Sequence, residues 1–371
     1  MELPFTPDRR LDPMTFGITP AIFHQFRAPR LGYDNPTRMN NPVWEWLIRS
    51  NLWAASANKH FDVISDKSFP TWCFERFGRT VTPLPDGRVI CIGGEHEDHY
   101  DANFFIYNDV VVIHPDLGID IYGYPLQAFP ATDNHSGLLI GNEIFVIGGL
   151  SYPRRRQPGF TPVFAINIHS FQIRKLESSG DMPGWIFGHK SALIDDGQAI
   201  KVSKGEICIT LDRKPVENID DWQLDLQTLT WSRLTQKNWI RWEYERKEHG
   251  HNLLWKMRSA LFEQKHYEFR ESHKAAINHL VEKLGHSPDL DMLDFLYLPP
   301  ITHNVLPEQE DESRIYRIEI DDVVVRYVED DFSIQVTVEG ILSDEIILSL
   351  KQDLQQKLEK LENTAYLIRD I

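Results

Sequence analysis

Apolar and polar positions over residues 78–94 trace a β-hairpin. A mixed strand (79–84) meets a turn at Pro85-Asp86-Gly87, and a β-branched strand (88–92) then stops at Gly93-Gly94. Asp-Gly suits such a turn because glycine accepts the positive φ it requires. A glycine pair marks a departure from the sheet where a Cβ would clash. The pattern returns over 135–149, turning at Gly141-Asn142 and ending at Gly148-Gly149. A third copy starts at His189, turns at Asp195-Asp196-Gly197 and runs on over 198–202, with Ser203-Lys204 where the glycine pair is expected. Arg79, His135 and His189 head the three copies, 56 and 54 residues apart. A second strand pair follows each hairpin: 109–114 with 119–122, 162–168 with 172–176, and 221–226 with 229–234. Ile119, Ile173 and Trp231 hold matching places in these pairs, 54 and 58 residues apart. Two independent landmarks keep one period, so the unit is a repeat of four strands.

Four strands at a period near fifty is the pattern of a propeller blade. Gly188-His189-x-Ser191-Ala192, His135-Ser136, the two glycine pairs and Trp231 in Leu229-Thr230-Trp231 resemble kelch repeats. The resemblance covers roughly residues 70–235, and the chain as a whole is similar to bacterial kelch-type proteins. It implies an incomplete β-propeller of about three blades and, for most such proteins, binding of a partner protein. Three blades cannot close a ring, so the first and last sheets are expected to expose apolar flanks that something must cover.

Residues 1–41 hold six prolines and read as an irregular arm. Asn41-Pro42 then opens a helix to about residue 58, with Val43, Trp46, Leu47, Trp53 and Ala54 at helical spacing. Past Thr235 the β pattern stops. Leu254, Met257, Leu261, Ile277, Leu280 and Leu284 recur every three or four residues in a charged helical region over 243–284, and Ser287-Pro288 opens a short helix to about 297. Residues 307–313 form an acidic linker. Strands over 315–320, 323–328 and 332–338 then lead to a helix with Ile347, Leu350, Leu354, Leu358 and Leu361 on one face. The expected fold is mainly β with added α. It comprises an N-terminal arm and short helix (1–69), kelch-like blades (70–236), a helical segment (237–306), and the acidic linker with a small βββα domain (307–371). The N-terminal arm and the helices after Trp239 are the segments expected to cover the open sides of the blades.

The composition, 42% apolar with ten Trp among 371 residues, suits folded cores. Without an apolar run of eighteen residues or a signal-peptide pattern, the chain is expected to be cytoplasmic and not membrane-bound. Cys73, Cys91 and Cys208 fit no Cys-x-x-Cys spacing and are expected to be buried, reduced thiols. The net charge of −16 is concentrated toward the C-terminus: residues 308–371 carry −10 while residues 1–60 carry +2. That balance argues against a nucleic-acid partner, whose phosphates it would repel.

In a four-stranded blade the links between second and third strands emerge on one face with the links between blades. This gathers Glu95, His96, Glu97, Asp98, His99 and Asp101 from the first loop, Arg154, Arg155 and Arg156 from the second, and Tyr124, Phe129, Asp133 and Trp185 from the inter-blade links. Loops on a rigid scaffold concentrate binding residues. The principal expectation is a protein-binding scaffold, with a toxin- or effector-associated role among its forms. The alternatives are a metal-dependent or hydrolase-like enzyme or small-ligand binder built on the loop 95–101, and a structural subunit of a larger assembly. His96 and His99 are the candidate metal ligands, but their spacing matches no strict motif, and neither a metal nor another cofactor is expected. No catalytic residue is assigned, and a binding role is favoured over an enzymatic one. A monomer is favoured, with a homodimer as the alternative. His135 and His189 hold equivalent repeat positions and are expected to bridge neighbouring blades.

Overall fold

The computed structural model describes residues 4–96, 101–211, 214–248, 250–266, 271–308 and 314–371. The chain divides into two compact units, Met1–Lys237 and Asn238–Ile371. It is mainly β with several helices, arranged as largely antiparallel sheets, none closed on itself among the described residues.

Three sheets follow one another in the first unit, each built on the four strands that the repeat predicts. The first runs Thr80–Pro83, Val89–Ile92, Val110–Ile113, Ile119–Gly123, and the second Ser136–Ile140, Glu143–Ile147, Val163–Asn167, Ile173–Lys175. The third runs Lys190–Ile194, Ala199–Ser203, Trp222–Asp225, Thr230–Arg233. The leading edge strands of the three sheets lie side by side, first against second and second against third. Two short strands that the repeat does not predict complete outer edges: Thr37–Arg38 joins the first sheet and Ser179–Gly180 the third.

The central strands of the first two sheets are apolar on both faces because each of those sheets is packed on both sides. Ile90, Ile92, Val110 and Val112 face Ile144, Val146, Phe164 and Ile166 between the first and second sheets. Phe145, Ile147, Val163 and Ala165 face Ile200, Val202, Leu224 and Trp231 between the second and third. The free face of the first sheet (Val89, Cys91, Val111, Ile113, Ile121) is covered by Trp44, Trp46, Leu47 and Trp72 of the N-terminal segment. The predicted helix over 42–58 is two helices, Pro42–Ser50 and Ala54–His60. The first is capped by the Asn41 side chain and ended by Asn51 in the left-handed region at φ 48°. All three cysteines are buried and free.

The free face of the third sheet is different. The row Ala192, Lys201, Gln223, Ser232 lies across it in register, and Lys201 pairs with Asp221 at 2.7 Å. This flank carries polar side chains, so the expectation of two apolar flanks holds for the first sheet alone. One register is also corrected. The glycine pair aligns with Lys204-Gly205, because Gly205 accepts from the Asn218 amide as Gly94 accepts from that of Tyr107. Lys204 takes φ 59°, matching Gly93 at 58° and Gly148 at 65°.

The second unit is one six-stranded antiparallel sheet with helices. Its strand order is Asn304–Val305, Ile315–Ile320, Val323–Glu329, Ser333–Val338, Ile240–Arg246, Tyr366–Asp370. Two of these strands were unforeseen. Ile240–Arg246 sits inside the sheet rather than leading into a helix, and Tyr366–Asp370 forms its edge. The helices Leu254–His266, Glu271–Leu284 and Asp344–Glu362 share one core with it, in which Leu254, Met257, Leu280, Leu350 and Leu358 meet Trp242, Tyr244, Tyr327 and Val336. The apolar residues after Trp239 are therefore used within this unit, and its boundary falls at 237/238 instead of in the acidic linker. No helix among the described residues is long and apolar enough to cross a membrane.

Candidate functional site

The links between second and third strands, with one link between sheets, fold into two small ribbons on the first unit. Glu95–His96 pairs with Phe105–Ile106, and Phe77 bridges to Glu95 from the other side. Trp185–Phe187 pairs with Glu206–Cys208, which pairs in turn with Val216–Glu217. The loop of the second sheet is pinned to both. The Ile106 amide donates to the Tyr152 hydroxyl at 2.9 Å, and the Thr161 hydroxyl donates to the Gly184 carbonyl at 2.6 Å.

A buried carboxylate fixes the turn that starts this loop. Asp133 accepts from the Ser151 amide at 2.9 Å and from the Asn134 side chain at 2.9 Å, and burial raises its pKa above the ordinary carboxylate value. The Leu150 carbonyl then accepts from Arg156 Nε at 3.0 Å and from Trp185 Nε1 at 3.1 Å, and Arg156 also reaches the Ser151 carbonyl. Arg156 and Trp185 are thus turned inward as braces. Between them and Tyr152, the short 3₁₀ turn Pro153–Arg155 projects Arg154 and Arg155 outward, and neither makes an ion pair among the described residues.

The other expected site residues separate in the same way. His96 is fully buried, set edge-on to Trp53, with Nδ1 3.0 Å from the Glu75 carbonyl. Asp101 accepts from the Asn103 amide at 2.6 Å and caps its own turn. Glu95 stays half-exposed. Tyr124 and Phe129 lie in the core between the first two sheets, where the Tyr124 hydroxyl donates to the Phe171 carbonyl at 2.8 Å. Glu97, Asp98 and His99 lie outside the described residues. Among the described residues no three His, Cys, Asp or Glu side chains gather where a metal ion could be held.

Three exposed apolar side chains that no sequence pattern singles out lie on or next to the two ribbons. Phe77, on the first ribbon, is 59% exposed, and Ile209 and Leu211, just past the second, are 46% and 63% exposed. Beneath the first ribbon, Asp109 accepts from Arg76 at 2.5 and 3.0 Å and from Trp72 Nε1 at 2.7 Å. The Arg76 guanidinium lies 3.4 Å over the Tyr107 ring and also donates to the Gly93 carbonyl.

No protein-family model matches this chain. No curated protein matches it either. Among solved structures, one described as "Structure of YjhT" is similar at 15% identity over 44% of this chain and 53% of that one, with a TM-score of 0.32. The chain thus aligns with about half the length of that protein.

The repeated histidines bridge sheets. His135 Nε2 and Thr80 Oγ1 share a hydrogen bond at 3.0 Å, and His189 Nε2 and Ser136 Oγ share one at 2.9 Å, each joining a sheet to the one before. The rings fit because the preceding sheet has glycine there. A Cβ on Gly93 would meet the Thr132 carbonyl oxygen and come within 3.2 Å of His135 Cε1; one on Gly148 would meet the Ile186 carbonyl oxygen and come within 2.8 Å of His189 Cε1.

Burial of these rings makes the fold sensitive to acid. Desolvation lowers the pKa of His135 to about 3, and of His189 and His96 to about 4, from an ordinary value of 6.5. The unfolded chain takes up protons that the native chain refuses. The histidines' contribution is therefore complete above pH 6.5 and is lost as pH falls through the native values. The thermal midpoint is expected to drop between about pH 7 and about pH 4.5, and to drop less in the double variant His135→Gln/His189→Gln. Equal drops would mean that the two bridging histidines do not contribute to the acid response.

Proposed function

We propose that the three sheets are the blades of an incomplete kelch-like propeller, and that its loop face binds a partner protein through an acidic segment of that partner. The side-by-side leading strands, the four-stranded units and the glycine–histidine fit between successive sheets support the propeller reading. One observation carries the binding reading. The loop 150–156 is held by Tyr152, Asp133, Arg156 and Trp185 so that Arg154 and Arg155 face solvent without an ion pair among the described residues. A backbone pinned in this way loses little freedom on binding, and the exposed Phe77, Ile209 and Leu211 supply apolar area on the two ribbons. Electrostatic complementarity of this kind selects partners and speeds encounter more than it adds raw affinity.

Charge reversal tests it. Arg154→Glu/Arg155→Glu is expected to leave folding stability within about 0.5 kcal/mol of the parent, since both side chains are exposed. It should also weaken the partner captured by the parent protein by at least about tenfold, with the loss largest at low salt. Capture of the same partners at unchanged affinity would sink the proposal.

A further inference from the structure

The second unit contains a cleft of about 560 Å³ whose lining includes Arg246, Trp255, Lys256, Lys283 and Asp331. It opens at the start of the thirteen-residue helix Leu254–His266. Two amides there are already taken: Leu253 donates to the buried Glu362 carboxylate at 2.7 Å and Leu254 to the Asn252 side chain at 3.3 Å. The amides of Trp255 and Lys256 fall in the first turn, where a helix supplies no acceptor of its own.

The charges of the lining do not cancel. Asp331 is engaged by Arg314 at 2.7 Å, and the nearest anion to Arg246 is Glu362, 3.4 Å away and fully buried. Lys256 and Lys283 are exposed and form no ion pair among the described residues. Two uncompensated ammonium groups thus face one cleft in a chain with a net charge of −16. Beside them Trp255 is 55% exposed although its indole is large and apolar. Arg314 lies 5.3 Å from that ring and holds it in place from one side.

Two uncompensated ammonium groups suit a phosphate, and an exposed, held indole suits a flat ring. We propose that this cleft binds a phosphorylated small molecule bearing a planar ring, of the mononucleotide class. Its phosphate lies against Lys256 and Lys283, and its ring lies on Trp255. The site belongs to the second unit and is independent of the loop-face reading.

Calorimetric titration of the whole chain with AMP, inorganic phosphate and adenosine provides the test. AMP is expected to bind with a Kd below about 1 mM, and phosphate and adenosine at least about tenfold more weakly. Lys256→Glu/Lys283→Glu should reduce AMP affinity at least about tenfold with an unchanged thermal midpoint. Trp255→Ala should reduce AMP affinity while leaving that for phosphate unchanged. No AMP binding to the parent chain, or AMP binding unaltered by the lysine variant, overturns the site. AMP binding unaltered by Trp255→Ala overturns the assignment of the ring.

Discussion

Replacing Asp109 by alanine is expected to cost the first unit about 3–5 kcal/mol, the range for breaking one side of a buried ion pair. Arg76 and Asp109 are 2% and 5% exposed at their side chains, so water cannot replace the lost carboxylate. Arg76 would keep its donations to the Cys73 and Gly93 carbonyls and its place over Tyr107, but its charge would stay buried without a counter-ion. Trp72 Nε1 would lose its acceptor as well. Against a typical total stability of about 5–15 kcal/mol, such a loss removes a large fraction of the stability. Asp109→Asn retains an acceptor for Trp72 and should cost less than the alanine variant. Chemical denaturation followed by tryptophan fluorescence measures both. A cost below about 1 kcal/mol for the alanine variant would mean that the pair does not hold the base of the loop face.

The second large effect is expected at Gly148. An alanine there must adopt φ 65°, which costs an L-residue about 1–2 kcal/mol, and must also displace the Ile186 carbonyl and the His189 ring, adding about 1–3 kcal/mol. The expected total is about 2–5 kcal/mol. Gly141 separates the two contributions. It has φ 58° and nothing within 4 Å of where an alanine methyl would sit, so Gly141→Ala should show the backbone cost alone. Lys204→Gly completes the set and should change stability by no more than about 1 kcal/mol, since that site relieves a strained φ while freeing the unfolded chain. Equal costs at Gly148 and Gly141 would falsify the steric fit between sheets.

The repeat was legible because its signals are local. Turn residues and strand alternation lie within one unit of chain, and His135 and His189 mark the same place in successive units. The register slips by one residue at Lys204 because a lysine in the left-handed region looks like a lost glycine rather than its substitute. Ile240–Arg246 carries a strand's alternation, with Arg241, Glu243 and Glu245 against Trp242 and Tyr244, but the strand's partners, Ser333–Val338 and Tyr366–Asp370, lie about a hundred residues further on. Nothing nearby in the sequence announces such a pairing. The location of the candidate site followed from topology, yet the direction of each side chain did not. Arg154, Arg155 and Arg156 are identical in type, and only the position of the Leu150 and Ser151 carbonyls turns the third one inward.

Lys204 also bears on how such an array grows. Tandem repeats lengthen when a unit is copied and the copy docks on the last one. A fourth unit docking here as the second docks on the first would push its own carbonyl and histidine into the space that the Lys204 side chain leaves from. Gly205 is still present, so Lys204 is the one departure from the glycine pair, beside the polar face of Lys201, Gln223 and Ser232 that a neighbour would also have to meet.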